Sequence, residues 1–194
     1  RDDYQDGNSR SQDAIISVSL IALVVITALA VICAPAIFHL FSLNPAQGID
    51  VGVFRNVGTS LTRIFVLQIF FYGLSALTSA LLNARKLFFA AAWTPALANV
   101  VTIASFLLLP FSKAGDNLSI ESVHNDHAAL WILGLGTTLG IATMAITQAL
   151  VVRKQGVTFS FSPQFRHPAV VKLIQLSAWT LGYVAANQVA LVVI

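Results

Sequence analysis

The sequence predicts an all-α fold, a polytopic bundle of transmembrane helices, and two observations carry that reading. Of the 194 residues, 57% are hydrophobic and only 10% are charged, with a mean hydropathy of +0.80. An ordinary soluble domain carries about 25% charged residues, so this chain has too little charge to solvate a globule of its size. The apolar residues also gather into five runs, free of Asp, Glu, Lys and Arg beyond their first turns. Each is long enough to cross a hydrocarbon core of roughly 30 Å as a helix of about 20 residues.

Taken in order, residues 1–13 are polar, with Asp2, Asp3, Asp6 and Asp13 beside Arg1 and Arg10. They read as a solvated segment in which Ser11 or Asp13 supplies an N-cap for the first span, residues 14–41. Pro35 is expected to kink or end that span, with His39 beyond it at the interface. Residues 42–62 read as a connector marked by Asn44-Pro45, Gly48 and Asp50. Within it Val51, Phe54, Val57, Leu61 and Ile64 recur at helical spacing, which suits an interfacial amphipathic turn or two. Residues 64–84 and 87–109 form the second and third spans, joined by the basic turn Arg85-Lys86. Trp93 and Pro95 stand early in the third, where a proline is mild because the first N–H groups of a helix have no partner in it.

Residues 110–127 form a polar loop with turn residues Gly115, Asp116 and Asn117. Residues 128–152 are the fourth span, stopped by Arg153-Lys154-Gln155-Gly156, with cations at the negative end of the helix dipole. Residues 157–168 carry Phe159, Phe161 and Phe165 among serines, a composition that fits the headgroup level. Residues 169–194 are the fifth span, with Lys172 in its first turn. Arg1 in place of Met, and an apolar run that stops at Ile194 without a flanking charge, read as the ends of an internal piece of a longer membrane protein.

Orientation follows from Lys and Arg in the short loops. Arg85 and Lys86, and Arg153, Lys154 and Arg166, fall on one side, which is assigned to the cytoplasm. The opposite side holds Arg55 and Arg63, and Lys113 among three acids.

The composition also excludes function classes. The basic residues sit in short loops without interleaved aromatics, which argues against nucleic acid. A lone cysteine, Cys33, builds neither an intrachain disulfide nor a Cys-based metal site. His124, Asp126 and His127 are spaced for zinc but stand in a loop without a further ligand cluster, so no metal and no cofactor is expected. No nucleophile with its base, no paired carboxylates and no Gly-rich phosphate loop are present, and no enzyme active site is expected.

The informative residues are polar ones inside the spans. Gln68, Tyr72, Ser75, Ser79 and Asn83 follow one another at offsets of four, three, four and four and so share a helical face. Such a stripe is costly against lipid and should face protein or water. It reads either as the wall of a hydrated path or as ordinary helix packing. Asn99 lies with Thr94, Ala98, Thr102 and Ser105 mostly on one side of the third span. In the fourth, Gly136 and Gly140 precede Thr143 and Thr147, a small-residue face suited to close packing. In the fifth, Thr180, Tyr183 and Asn187 share a face, with Gln188 adjacent to it. Gln68, Tyr72, Ser75, Ser79, Asn83, Asn99, Tyr183, Asn187 and Gln188 are therefore the candidates for lining a substrate path.

Three strings carry a family resemblance: Tyr72-Gly73-Leu74-Ser75-Ala76-Leu77-Thr78-Ser79-Ala80-Leu81-Leu82-Asn83-Ala84, then Arg85-Lys86-Leu87-Phe88, then Trp93-Thr94-Pro95-Ala96-Leu97-Ala98-Asn99-Val100. The sequence resembles the MurJ (MviN) family of lipid II flippases. In that family a small-residue run ends in Leu-Asn, a basic turn and Phe follow, and the next helix opens with Ala-x-x-Pro-x-x-x-Asn. Leu181-Gly182-Tyr183-Val184-Ala185-Ala186-Asn187-Gln188 looks like the family's seventh helix and is similar to actinobacterial members. Ser177-Ala178-Trp179 replaces the proline that usually opens that helix.

The resemblance implies that the five spans are the third to seventh of about fourteen helices. Residues 1–168 would belong to an N-terminal transmembrane lobe, and residues 169–194 would be the first, truncated helix of the second lobe. It implies transport of an undecaprenyl-linked peptidoglycan precursor from the inner to the outer leaflet of the bacterial cytoplasmic membrane, by lobes that rock around a central site. It implies membrane lipid as a partner, with cell-wall synthesis or division proteins as candidate protein partners. The family's cavity arginines have no counterpart within these spans. A polysaccharide-lipid or multidrug exporter of the same superfamily, and a non-transporting membrane scaffold for cell-wall synthesis, remain the alternatives.

Overall fold

Helices follow the apolar runs in the computed structural model, which describes residues 2–42, 50–112, 118–157 and 159–193. In chain order they are α1 (Asp2–Phe41), α2 (Val51–Val66), α3 (Gln68–Ala84), α4 (Phe88–Phe106), a 3-10 turn (Leu109–Phe111), α5 (Ile120–Asn125), α6 (His127–Lys154) and α7 (Pro168–Val193). Five stretches are long and apolar enough to cross a membrane: Arg10–Leu40, Val51–Ala84, Phe88–Phe111, His127–Lys154 and Pro168–Ala190. No strand occurs among the described residues. The turns expected around Asn44-Pro45, at Gly48 and at Gly115-Asp116-Asn117 lie outside the described residues.

The boundaries depart from expectation where local polarity hides a helix. α1 begins at Asp2, so neither Ser11 nor Asp13 caps it. Pro35 neither ends α1 nor keeps His39 outside it, because the helix continues to Phe41. The connector at 42–62 holds most of a 16-residue helix, Val51–Val66, rather than a turn or two. Asp50 starts it, its carboxylate accepting from the N–H groups of Gly52 (2.7 Å) and Val53 (3.1 Å). The loop at 110–127 contains the short α5, opened by a capping box of Ser119 and Ser122.

α2 and α3 run end to end, with only Leu67 between them. Together they cover 34 residues, about 50 Å of helix against roughly 30 Å of hydrocarbon. The first turns of α2, with exposed Arg55, therefore extend beyond the core. At the break the Thr138 hydroxyl of α6 lies 3.4 Å from the Ile64 carbonyl, the acceptor that Gln68 N–H would use in an unbroken ladder.

α3 ends in a Schellman motif. Leu87 N–H donates to the Leu82 carbonyl at 2.9 Å and Lys86 N–H to the Asn83 carbonyl at 3.0 Å. Lys86 takes the left-handed conformation, with φ of 62°. At the end of α6 that conformation falls to Gly156, with φ of 75°. Arg85 Nη1 donates to the Gln155 carbonyl at 2.8 Å. This bond joins the two basic turns at one end of the helices, where the loop charges place them together.

The chain divides into two compact units, residues 1–22 with 158–194 and residues 23–157. In the first, Ala14, Val18 and Val170 form a small core with Ile15. In the second, α6 is the central helix and packs against α2, α3, α4 and α5. A cluster of Val57, Val123 and Ala129 closes one region of it, bordered by Val53, Leu61, Leu109, Ile120, Leu130 and Leu133.

A candidate substrate path beside a buried polar clamp

α6 can sit centrally because its facing residues are small. A β-carbon on Gly140 would stand 2.6 Å from the Ala98 carbonyl oxygen and 2.5 Å from Thr102 Oγ1 of α4. One on Gly136 would stand 2.8 Å from Ser105 Cβ. The backbones of α4 and α6 therefore approach to a distance that only glycine permits, as the small-residue face suggests.

This close approach seals a polar cluster among three helices. Gln148 of α6 is 1% exposed. Its Oε1 accepts from Ser75 Oγ at 2.8 Å and from Thr78 Oγ1 at 2.9 Å, both on α3. Its Nε2 donates to Thr94 Oγ1 of α4 at 2.6 Å. Thr94 in turn lies 3.4 Å from the Ala91 carbonyl, the group that Pro95, inside α4, leaves without its usual i+4 donor. The amide thus uses both ends on hydroxyls of two neighbouring helices inside an apolar interior. At the first residue of α3, Gln68 Nε2 donates to Thr137 Oγ1 (3.0 Å) and Thr138 Oγ1 (3.1 Å) of α6.

The polar stripe of α3 therefore divides. Gln68 and Ser75 are bonded to α6, and Ser79 is half-buried. Tyr72, 55% exposed, and Asn83 face outward. They sit about 60–80° farther round the helix than Ser75, at 100° per residue. Asn99 of α4 is exposed, while Thr94 and the Thr102–Ser105 side meet α6. On α7 every residue from 171 to 190 is exposed within its unit, including Tyr183, Asn187 and Gln188. Lys172, Gln175, Leu176, Ala178 and Trp179 border an open depression of about 710 Å³ along that helix.

Gln148, Thr78 and Thr138 are absent from the sequence-based candidates. Gln148 had a signal, since an amide inside an apolar span needs a partner for the same reason that Gln68 does. Thr78 and Thr138 had none, because a helical threonine can always bond to its own backbone, as both also do here. The one buried side-chain oxygen or nitrogen without a partner among the described residues is Thr27 Oγ1 of α1. No group of three or more His, Cys, Asp and Glu capable of holding a metal occurs among them. Asp126 instead caps α6, accepting from Ala128 N–H at 3.0 Å.

A family model described as lipid II flippase MurJ matches residues 3–194. No solved structure matches the chain. With five membrane-length helices and a match over nearly every residue, this multi-pass membrane protein belongs to the MurJ lipid II flippase family, whose members transport lipid II rather than act as catalysts.

Proposed function

We propose that the chain forms part of the wall along which lipid II crosses the bacterial cytoplasmic membrane, from the inner to the outer leaflet, by alternating access. In this reading residues 1–168 belong to the first lobe and residues 169–194 open the second. The basic turns at Arg85-Lys86 and Arg153-Lys154 face the cytoplasm.

The observation that carries the reading is the division of the polar residues. Gln68 and Ser75 are bonded into α6, whereas Tyr72, Asn83 and Asn99 stand exposed on membrane helices. Exposed amides and a phenol are costly against acyl chains. A hydrated path that accepts a sugar–peptide headgroup supplies them with partners. Tyr183, Asn187 and Gln188 present the same chemistry on α7. Gln68, Ser75 and Ser79 remain in the wall, the first two holding α3 on α6 while the outward edge of the stripe meets the substrate.

The test separates lining from packing. Asn99→Leu and Asn187→Leu are expected to lower the arrival of lipid II at the outer leaflet about tenfold, the cost of one to two lost polar contacts, with thermal stability and expression unchanged. Equal loss of expression and transport would assign these residues to packing, and full transport by both variants would remove them from the path.

A further inference from the structure

The connector between α6 and α7 holds its aromatic residues outward by design of its backbone. Ser162 N–H donates to Ser17 Oγ of α1 at 2.9 Å, and Ser160 N–H lies 3.3 Å from Asp13 Oδ1. Ser17 is fully buried and donates its own hydrogen to the Asp13 carbonyl at 2.7 Å. Two backbone amides, those of Ser160 and Ser162, are thus directed at α1, which pins the segment to that helix. The residues between and beside them are Phe159 and Phe161, 44% and 61% exposed, with ring centroids 6.4 Å apart in an edge-to-face pair. Phe165 is 56% exposed, and Arg166 beside it is exposed. At the other end, His167 fixes the start of α7, its Nδ1 accepting from Ala169 N–H at 3.3 Å.

Three phenyl rings exposed to this extent would be unfavourable in water. The segment runs from one membrane-length helix, ending at Lys154, to another beginning at Pro168, so topology holds it near the membrane surface. There the headgroup layer accepts an apolar ring below and a guanidinium above.

We propose that Phe159, Phe161 and Phe165, with Arg166, form a lipid anchor: the rings enter the boundary between headgroups and acyl chains, and Arg166 meets lipid phosphate. The occupant is the phospholipid layer itself, not the transported substrate. The anchor sets the depth at which α7 enters the bilayer, and it depends only on the membrane-spanning helices, not on which lipid is moved.

Nitroxide labels at Phe161→Cys and Phe159→Cys, in a Cys33→Ala background, test this in the full chain reconstituted into phosphatidylethanolamine–phosphatidylglycerol vesicles. Both positions are exposed and their rings pair with each other, so each single substitution removes one ring of that pair and leaves the other in place. Collision with oxygen, which concentrates in lipid, is expected to exceed collision with a water-soluble nickel chelate several-fold at both sites. Nickel access equal to or above oxygen access would place the rings in water and overturn the anchor. Low access to both reagents would place them against protein, in this chain or a partner, and would overturn it as well.

Discussion

At the scale of single residues, Gln148 does the most with the least exposure. Its amide links α3 to α4 through α6 with three side-chain bonds. Interhelical hydrogen bonds in membrane proteins average about 0.6 kcal/mol each, so Gln148→Leu is expected to destabilise the protein by about 2 kcal/mol. Thermal unfolding in detergent micelles measures this. Gln148→Glu should cost more, because an ionised carboxylate is buried and cannot donate to Thr94. A Leu variant as stable as the parent would mean that the three bonds add nothing to the backbone bonds that Thr78 and Thr94 already make. The sequence made Gln68 and Ser75 legible as members of a stripe, because spacing reveals which residues share a face. It did not reveal which edge of the stripe meets α6. That depends on how the helices are rotated in the bundle, and rotation is set by the glycines of a different helix.

At the scale of elements, the seam between α4 and α6 is the most constrained contact. Gly140→Ala places a methyl group against the Ala98 backbone oxygen, which cannot swing aside as a side-chain tip would. Overpacking of this kind costs about 1–3 kcal/mol. Gly182→Ala on α7 meets nothing within 4 Å and is expected to be neutral or slightly stabilising, since alanine is the better helix former. Paired melting curves of the two variants separate close packing from helix propensity; equal effects would contradict the seam. Elements differed in how far they could be read in advance. The membrane spans were legible because each is a long uncharged run. α2 was legible only as a periodicity, since Arg55, Asn56 and Arg63, on its exposed side, break up the apolar run and Gly52 and Gly58 lower its propensity. Its burial of Val57 and Ile64 supplies what local sequence lacks.

At the scale of the whole molecule, low charge and loop cations anticipated a multi-pass membrane protein whose two basic turns share one end, and the bond from Arg85 to Gln155 joins those turns. The family was legible from the strings around Asn83, Arg85 and Pro95, and the match over residues 3–194 agrees. The polar clamp was not, because it exists only once α3, α4 and α6 have packed. Membership in the lipid II flippase family makes a demand that no packing argument can meet. The most direct measurement is the amount of lipid II exposed on the outer leaflet when the full-length protein is depleted from cells that have no redundant flippase. Exposure is expected to collapse, lipid II to accumulate in the inner leaflet and the cells to lyse. Normal exposure and normal growth under depletion would contradict transport of lipid II by this protein.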